Sequence, residues 1–401
     1  MKKGSKKKRE KKPLIIHIIT KLELGGAQRV TLDTLKNLDK AGFRTGLISG
    51  AEGELTEEAT SLKDCDVRLL KVFKHPIKPL HDILAFIAIT IILLKTKPAV
   101  VHTHSSKAGI IGRWAAFFVR VPVRIHSVHG WSFNDYQKRT KRILYTFLEK
   151  ITSPITSYYL LESKKHIEIG KRKKILKENN YELLPPGIDF SELDRLSSKQ
   201  TPPAPHPIDR LKKTGNRIVT MIACFKPQKA PLDFVRAAAV ILKKIESIKF
   251  ILVGDGILRD QIESEIENLD LKKDVILTGW RRDTAEIIVS SDCIVLTSLW
   301  EGMPTVLPMA MRVGTPAVAN RIDGCAELIE NGKNGLLSEP GNPGSTADNI
   351  IKVLTDSSLE KKIKKNGYKY TKEFEITRTT KKQEDIYSKL IGKLREFKIE
   401  S

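Results

Sequence analysis

Short runs of β-branched and aliphatic residues recur along the chain, separated by stretches whose apolar positions follow helical spacing. The first run, Leu14 to Thr20, is almost continuously apolar, as expected of a strand buried on both faces of a parallel sheet. It leads into Gly25-Gly26-Ala27-Gln28 and a helix-period stretch over 29–41. Further strands are predicted at 45–48, 67–70, 99–102, 123–128 and 157–161, with helices between them. A turn-rich exit, Leu184-Pro185-Pro186-Gly187-Ile188-Asp189, and a proline-rich polar stretch over 198–216 interrupt the pattern. It then restarts with strands at 218–223, 249–253, 275–278, 293–296 and 316–319 and helices at 232–244, 258–269, 284–289 and 306–313. Strand–helix alternation predicts an α/β protein with two doubly wound parallel sheets in tandem, which 401 residues suffice to build.

Composition narrows the class. With 40% hydrophobic, 6% aromatic and 29% charged residues, the chain is neither disordered, collagenous nor a multi-span membrane protein. Residues 83–94 (ILAFIAITIILL) are its longest apolar run, short of the ~20 needed to cross a bilayer, and read as a buried helix. Cys65, Cys224, Cys293 and Cys325 are scattered without metal-ligand spacing, which suits a reducing compartment. This places the chain in the cytoplasm and leaves open a peripheral position on the inner face of the cell membrane.

The net charge of +23 is uneven: residues 1–200 hold 38 basic against 20 acidic side chains, and residues 201–401 hold 32 against 27. Eight of the basic residues lie in 2–12, a segment that reads either as a solubilising tail or as an arm attracted to phosphate. Lys138-Arg139-Thr140-Lys141-Arg142 opens a basic amphipathic helix suited to an anionic bilayer, or merely a solvated face. The charge alone admits a nucleic-acid-binding protein, but no recognition module accompanies it, so no nucleic acid is expected.

Candidate chemistry sits where loops follow strands. Gly25-Gly26 and Gly254-Asp255-Gly256 each fit a phosphate-approaching turn at a helix start, or a plain tight turn; neither GxGxxG at Gly25 nor GxxxxGK[ST] is present. His102 and His104 point the same way from one strand, and His129 ends another; without a third partner they suit hydrogen bonding better than metal. Glu301-Gly302-Met303-Pro304 follows a strand and could receive substrate hydroxyls and phosphate, or simply turn. Lys229 lies close after another strand end.

Taken in order, GGAQR, HTHSSKAGIIGR, HGWSF, PPGID, CFKPQKAPLDFVRAA, VGDG, LTGW, SLWEGMPTVLPMAM, GTPAV and DGCAELIENGKNGLL make the chain resemble a family 4 glycosyltransferase of the GT-B fold over nearly its whole length. The resemblance implies two facing Rossmann-like domains and a C-terminal helix crossing back to the N-terminal domain. Expected limits are a basic arm at 1–13, an acceptor-side domain at 14–190, a linker at 191–216, a nucleotide-sugar domain at 217–372 and the returning helix at 373–401. It implies a retaining enzyme that needs no metal or other cofactor and uses a nucleotide-sugar donor, with UDP expected, and a lipid-linked or glycan acceptor of bacterial surface polysaccharide. Gly25, Gly26 and Lys229 would meet the donor diphosphate, His129 and Glu301 the transferred sugar, with backbone donors at Gly302, Met303 and Pro304; His104 is a further candidate for substrate contact.

Two positions depart from the family pattern. Met309 stands where a second glutamate usually contacts ribose hydroxyls, and Cys224 where an arginine is usual. A lost hydrogen bond to a charged group is worth ~1.5–3 kcal/mol, so donor affinity or identity is affected. A non-catalytic nucleotide-sugar-binding relative and a sugar-nucleotide epimerase of the same fold are the competing readings.

Overall fold

The computed structural model describes residues 12–198 and 211–399. Most of the basic arm and of the proline-rich stretch therefore lies outside the described residues. The chain forms two compact units. One comprises the described residues up to Leu160, Gly170–Glu182 and the described residues from Thr380 onward; the other comprises Leu161–Ile169 and Leu183–Thr379.

The first sheet contains β1 (Leu14–Ile19), β2 (Arg44–Gly50), β3 (Cys65–Leu70), β4 (Val100–His104), β5 (Val123–Val128), β6 (Tyr158–Leu161) and β7 (Tyr181–Leu183), ordered β3-β2-β1-β4-β5-β6-β7. The second contains β8 (Arg217–Ile222), β9 (Ile248–Val253), β10 (Val275–Gly279), β11 (Cys293–Leu296), β12 (Ala317–Asn320) and β13 (Leu336–Ser338), ordered β10-β9-β8-β11-β12-β13. Both are Rossmann-like parallel sheets, and in both the strand order reverses beside the first strand, between β1 and β4 and between β8 and β11. The carboxyl ends of such strand pairs open a crevice where ligands bind.

Burial explains why the strands read as continuous apolar runs. Every residue of β1 is buried, with Ile16 and Ile18 in a core shared with Val101 and Ala108. The second core gathers Val219, Met221, Phe234, Phe250 and Leu252. The first helix is displaced from its expected span: it runs Gly26–Asn37, because Asp39 folds back, accepting from Ala41 N–H through its side chain (2.7 Å) and from Phe43 N–H through its carbonyl (2.9 Å). Residues 191–197, counted above with the linker, form the helix Ser191–Ser197, whose Leu193 and Leu196 enter a second-unit core. Arg312 grips this helix through both oxygens of Asp194 (2.7 and 2.6 Å). The C-terminal helix Ile376–Ile399 passes from the second unit into the first at Thr380.

One expectation fails. The apolar run 83–94 is part of an 18-residue helix, Pro79–Thr96, in which only Ala85, Ile89 and Leu93 are buried. These three are four residues apart, so a single line of contact seats the helix on its neighbour while Leu80, Ile83, Leu84, Ile87, Ile91 and Leu94 stand exposed. By length and composition it is long and apolar enough to cross a bilayer, with a mean hydropathy of 1.7. The exposed apolar surface continues through Phe117 and Phe118, and Ile143, Leu144 and Phe147 add to it on the helix Arg139–Thr152. Phe118 packs edge-on against Phe86 (5.9 Å between ring centres), and Trp114 Nε1 donates to Thr152 Oγ1 (3.1 Å).

Candidate active site

The first unit places its candidate groups at the carboxyl ends of β1, β4 and β5. Register sets His17 of β1 beside His102 of β4, and His104 beside Ser127 of β5. His17, His102 and His104 are buried, while His129, just past β5, is half-buried. His104 links inward to His17 (His17 Nδ1 to His104 Nε2, 2.9 Å) and outward to His129 (His104 Nδ1 to His129 Nε2, 3.0 Å). Both of its ring nitrogens are thus engaged, so His104, expected as a substrate contact, can act on substrate only through His129. Loss of hydration pushes the pKa values of His102 and His104 well below the usual histidine range and that of His17 down to about 3. These imidazoles are therefore neutral at physiological pH.

Reading the strands leaves His102 and His104 without a third metal ligand; the fold supplies one in His17. Candidate nitrogen atoms of the three lie within 4.8 Å of one another. Each of the six ring nitrogens is already in a hydrogen bond, His102 through Ser127 and Tyr387 and His17 through His104 and Tyr387. A cation there would have to break that set.

The loop after β1 brings Gly25 and Gly26 to the start of the first helix. Gly25 N–H donates to Glu23 O (2.8 Å), so its amide is already used, whereas the helix's first-turn amides, beginning with Gly26, have no acceptor within the helix. Next to His104, Ser105 holds a left-handed φ of 62° that residues with side chains rarely adopt. Its hydroxyl meets Thr20 Oγ1 (2.8 Å), and Thr20 Oγ1 accepts from Ala108 N–H (3.1 Å), pinning the β1 and β4 ends together. Thr20, Ser105 and Tyr387 are participants that strand-end reading passes over. His17 carried a visible signal: it is the one polar residue within β1.

The second unit builds its group from charge. Lys229, after β8, forms a short ion pair with Glu301, after β11. Glu301 is buried and also accepts from Ser298 Oγ (2.6 Å); Gln228 Nε2 reaches its other oxygen at 3.5 Å and donates to Trp300 O at 2.9 Å. The turn carrying Lys229 is held by Thr297 Oγ1, which donates to the carbonyls of Lys229 and Ala230 (3.1 and 2.9 Å). Ala230 itself has a φ of 43°. Strain on non-glycine residues beside candidate groups in both units fits positions over-determined for a purpose. Gly302 and Met303 pack against Gly324, where an added Cβ would lie 1.6 Å from Gly302 O, so only glycine permits this approach. Met309 lies on the helix Val306–Val313, half-buried and packed against apolar core residues. Cys224 is a half-buried thiol outside any disulfide.

Comparison with known proteins agrees across both units. Residues 24–192 match the Glycosyltransferase Family 4 model and residues 206–370 match Glycosyl transferases group 1. The chain is 31% identical over 382 residues, covering 94% of itself and 97% of the relative, to the UDP-Gal:alpha-D-GlcNAc-diphosphoundecaprenol alpha-1,3-galactosyltransferase of Escherichia coli. It is 24% identical to the capsular polysaccharide biosynthesis glycosyltransferase CapM of Staphylococcus aureus, over 79% of this chain and 83% of that one. Among solved structures, Anabaena Alr3699/HepE in complex with UDP and glucose superposes with a TM-score of 0.78 at 19% identity, covering 94% of this chain and all of the other. WaaG, a glycosyltransferase involved in lipopolysaccharide biosynthesis, gives 0.73 at 16%, covering 94% and 99%. With two Rossmann-like sheets and this family match along nearly its whole length, the chain belongs to glycosyltransferase family 4, the group 1 glycosyl transferases, of the GT-B fold.

Proposed function

We propose that the protein transfers a sugar, with retention of anomeric configuration and without a divalent ion, from a UDP-linked donor to a lipid-linked or glycan acceptor in bacterial surface polysaccharide synthesis. The observation that carries this reading is the buried Glu301 held by Lys229 and Ser298 at the carboxyl ends of the switch-point strands β8 and β11. Breaking the bond to a nucleoside diphosphate leaves negative charge on the departing phosphate, and an ammonium already fixed in place stabilises it without reorganisation. Glu301, acceptor-only when ionised, suits the hydroxyls of a sugar. The donor and the lipid diphosphate acceptor follow the name of the Escherichia coli relative, and UDP also accompanies HepE.

The reading extends to an anionic membrane surface in the cytoplasm. Supporting it are the exposed apolar side chains of Pro79–Thr96, Phe117, Phe118 and Arg139–Thr152, more than a monomer in water ordinarily shows. The last of these helices also carries Arg139, Lys141, Arg142 and Lys150, while its only acid, Glu149, is buried against Arg113. Apolar and basic groups on one helix suit an anionic bilayer.

The test is incubation of the purified protein with UDP-galactose, UDP-glucose or UDP-N-acetylglucosamine, vesicles containing phosphatidylglycerol and a sugar-diphosphate lipid, with and without EDTA. An α-linked product formed equally in EDTA supports the reading. No transfer from any donor, or a product that is only an epimerised nucleotide sugar, overturns it. Co-sedimentation with phosphatidylglycerol vesicles but not phosphatidylcholine vesicles, lost in Ile83→Asp/Phe118→Asp, tests the membrane part separately.

A further inference from the structure

His102, His17, His104 and His129 of the first unit belong to one continuous hydrogen-bonded chain that runs through Tyr387 on the C-terminal helix. Its members, in order, are Ser127, His102, Tyr387, His17, His104 and His129. Ser127 Oγ meets His102 Nε2 at 2.8 Å, and His102 Nδ1 meets Tyr387 Oη at 2.6 Å. Tyr387 Oη meets His17 Nε2 at 3.2 Å, and the links from His17 to His104 and from His104 to His129 are 2.9 and 3.0 Å. Gln383 Nε2 donates to the same phenol oxygen at 2.5 Å. Tyr387 and His17 are fully buried.

Proton counting constrains this chain. A neutral imidazole has one N–H and one lone pair, so each ring must donate on one side and accept on the other. Tyr387 has a single phenolic proton to give, either to His17 or to His102. If it goes to His17, then His17 donates from Nδ1, His104 donates from Nδ1, and His129 accepts at Nε2 with its proton on Nδ1. If it goes to His102, every ring in the branch reverses: His17 donates from Nε2 to the phenol, His104 donates from Nε2, and His129 donates from Nε2 with a lone pair at Nδ1. Passing from the first arrangement to the second takes up one proton at the Ser127 end and releases one from His129 Nδ1, so the proton count balances. The phenol oxygen lies nearer His102 (2.6 Å) than His17 (3.2 Å), and placing its proton toward the nearer acceptor gives the second arrangement.

We infer that Tyr387, acting through His17 and His104, is a positioning residue that sets the tautomer of His129, keeping its proton on Nε2 and its lone pair on Nδ1. Tyr387 reaches His129 from 258 residues further along the chain, through two rings buried beneath the strand ends. This deepens the transferase reading and rests on it for its catalytic consequence, since only there does His129 face a transferred sugar.

The test uses the full chain, labelled with ¹⁵N histidine, and a long-range nitrogen–proton correlation spectrum that separates protonated from lone-pair ring nitrogens. His129 is assigned by comparison with His129→Gln. The wild type should show His129 protonated on Nε2, and Tyr387→Phe should move that proton to Nδ1, because His17 then has no acceptor for its Nε2 proton and turns its donor toward His104. Phe43→Leu removes a ring packed edge-on against Tyr387 (6.1 Å) without touching the chain, and should leave the tautomer unchanged. His17→Asn breaks a different link and should release His129 as Tyr387→Phe does, which covers a failure of either variant to fold. An unchanged His129 pattern in both chain variants, or the same shift in Phe43→Leu, overturns the inference. The spectrum decides whether or not sugar transfer is found. Where transfer is found, Tyr387→Phe should lower kcat about tenfold or more with little change in the donor KM, since the group touches no substrate.

Discussion

The two units build similar parallel sheets and equip the same place on them with opposite chemistry. At the β1/β4 strand ends the first unit places neutral, buried imidazoles, His17 bonded directly to His104 and linked to His102 through Tyr387. At the β8/β11 strand ends the second unit places an ion pair, Lys229 with Glu301. The neutral chain is directional and depends on which atom holds each proton. The ion pair depends on charge, and its lysine can exchange one anionic partner for another. Under the proposed transfer, an oriented neutral group suits contact with a sugar and a fixed ammonium suits the charge on a leaving diphosphate. Their surfaces differ too: among the described residues, large apolar side chains stand exposed along whole helices in the first unit and not in the second.

The largest expected effect tests where the first unit does use charge. Arg113 and Glu149 form an ion pair at 2.9 Å with side chains 0% and 2% exposed, and Arg113 also donates to Thr156 Oγ1, Tyr159 Oη and Gly109 O. Glu149→Ala strands a buried guanidinium and should cost about 3–5 kcal/mol in urea denaturation. Lys229→Ala, whose side chain is 22% exposed, should cost less stability but about 3 kcal/mol in kcat/KM for transfer, roughly a hundredfold. Equal stability losses in the two variants would erase the distinction between a structural charge and a working one.

How far these arrangements were legible in the sequence varies with the range over which they are fixed. Parallel strands announce themselves locally, because burial on both faces demands runs such as Leu14 to Ile19 and Cys293 to Leu296. Lys229 and Glu301 are each readable as site residues only through motif order, and their pairing across 72 residues is not readable at all. Tyr387 was invisible: its partners lie 370 and 285 residues away, and a tyrosine on an amphipathic helix carries no mark of a buried polar contact. The Pro79–Thr96 helix departs from its expected burial for a different reason. An apolar helix in a sequence looks the same whether protein covers it or not, and here only one line of residues is covered. Gly25 shows the converse, a motif glycine with an ordinary extended φ of −136° whose amide is already engaged.

Acid should separate the two chemistries next. His17, His102, His104 and His126 have native pKa values pushed below 6.5 by burial, so the unfolded chain binds more protons than the native one once pH falls below that value. Their contribution to stability is complete above pH 6.5 and is lost as pH falls from there, for His17 down to about 3. Each histidine still neutral in the native state costs about 1.4 kcal/mol per pH unit across that window. Urea midpoints at pH 8, 6.5 and 5 should therefore be flat over the first interval and fall over the second, before most carboxylates titrate. A midpoint that holds to pH 5 would mean these rings are solvated rather than sealed.

The smallest expected effect bears on whether the charged half is complete. Met309, half-buried beside Ala310 and Met311 in the helix Val306–Val313, cannot accept the two hydroxyl hydrogen bonds that a carboxylate could. In an active transferase, Met309→Glu should tighten UDP-sugar binding by no more than about 1.5–3 kcal/mol, read as a lower donor KM with kcat nearly unchanged, because ribose is held equally in ground and transition states. Part of that gain is offset by moving a carboxylate against apolar neighbours. Turnover that appears only in the mutant would have a different meaning: the second unit of the natural protein would be a binding module, and the contrast between its charged site and the neutral one in the first unit would no longer describe a catalyst. Robust turnover by the natural protein removes that reading and leaves Met309 as a determinant of donor choice.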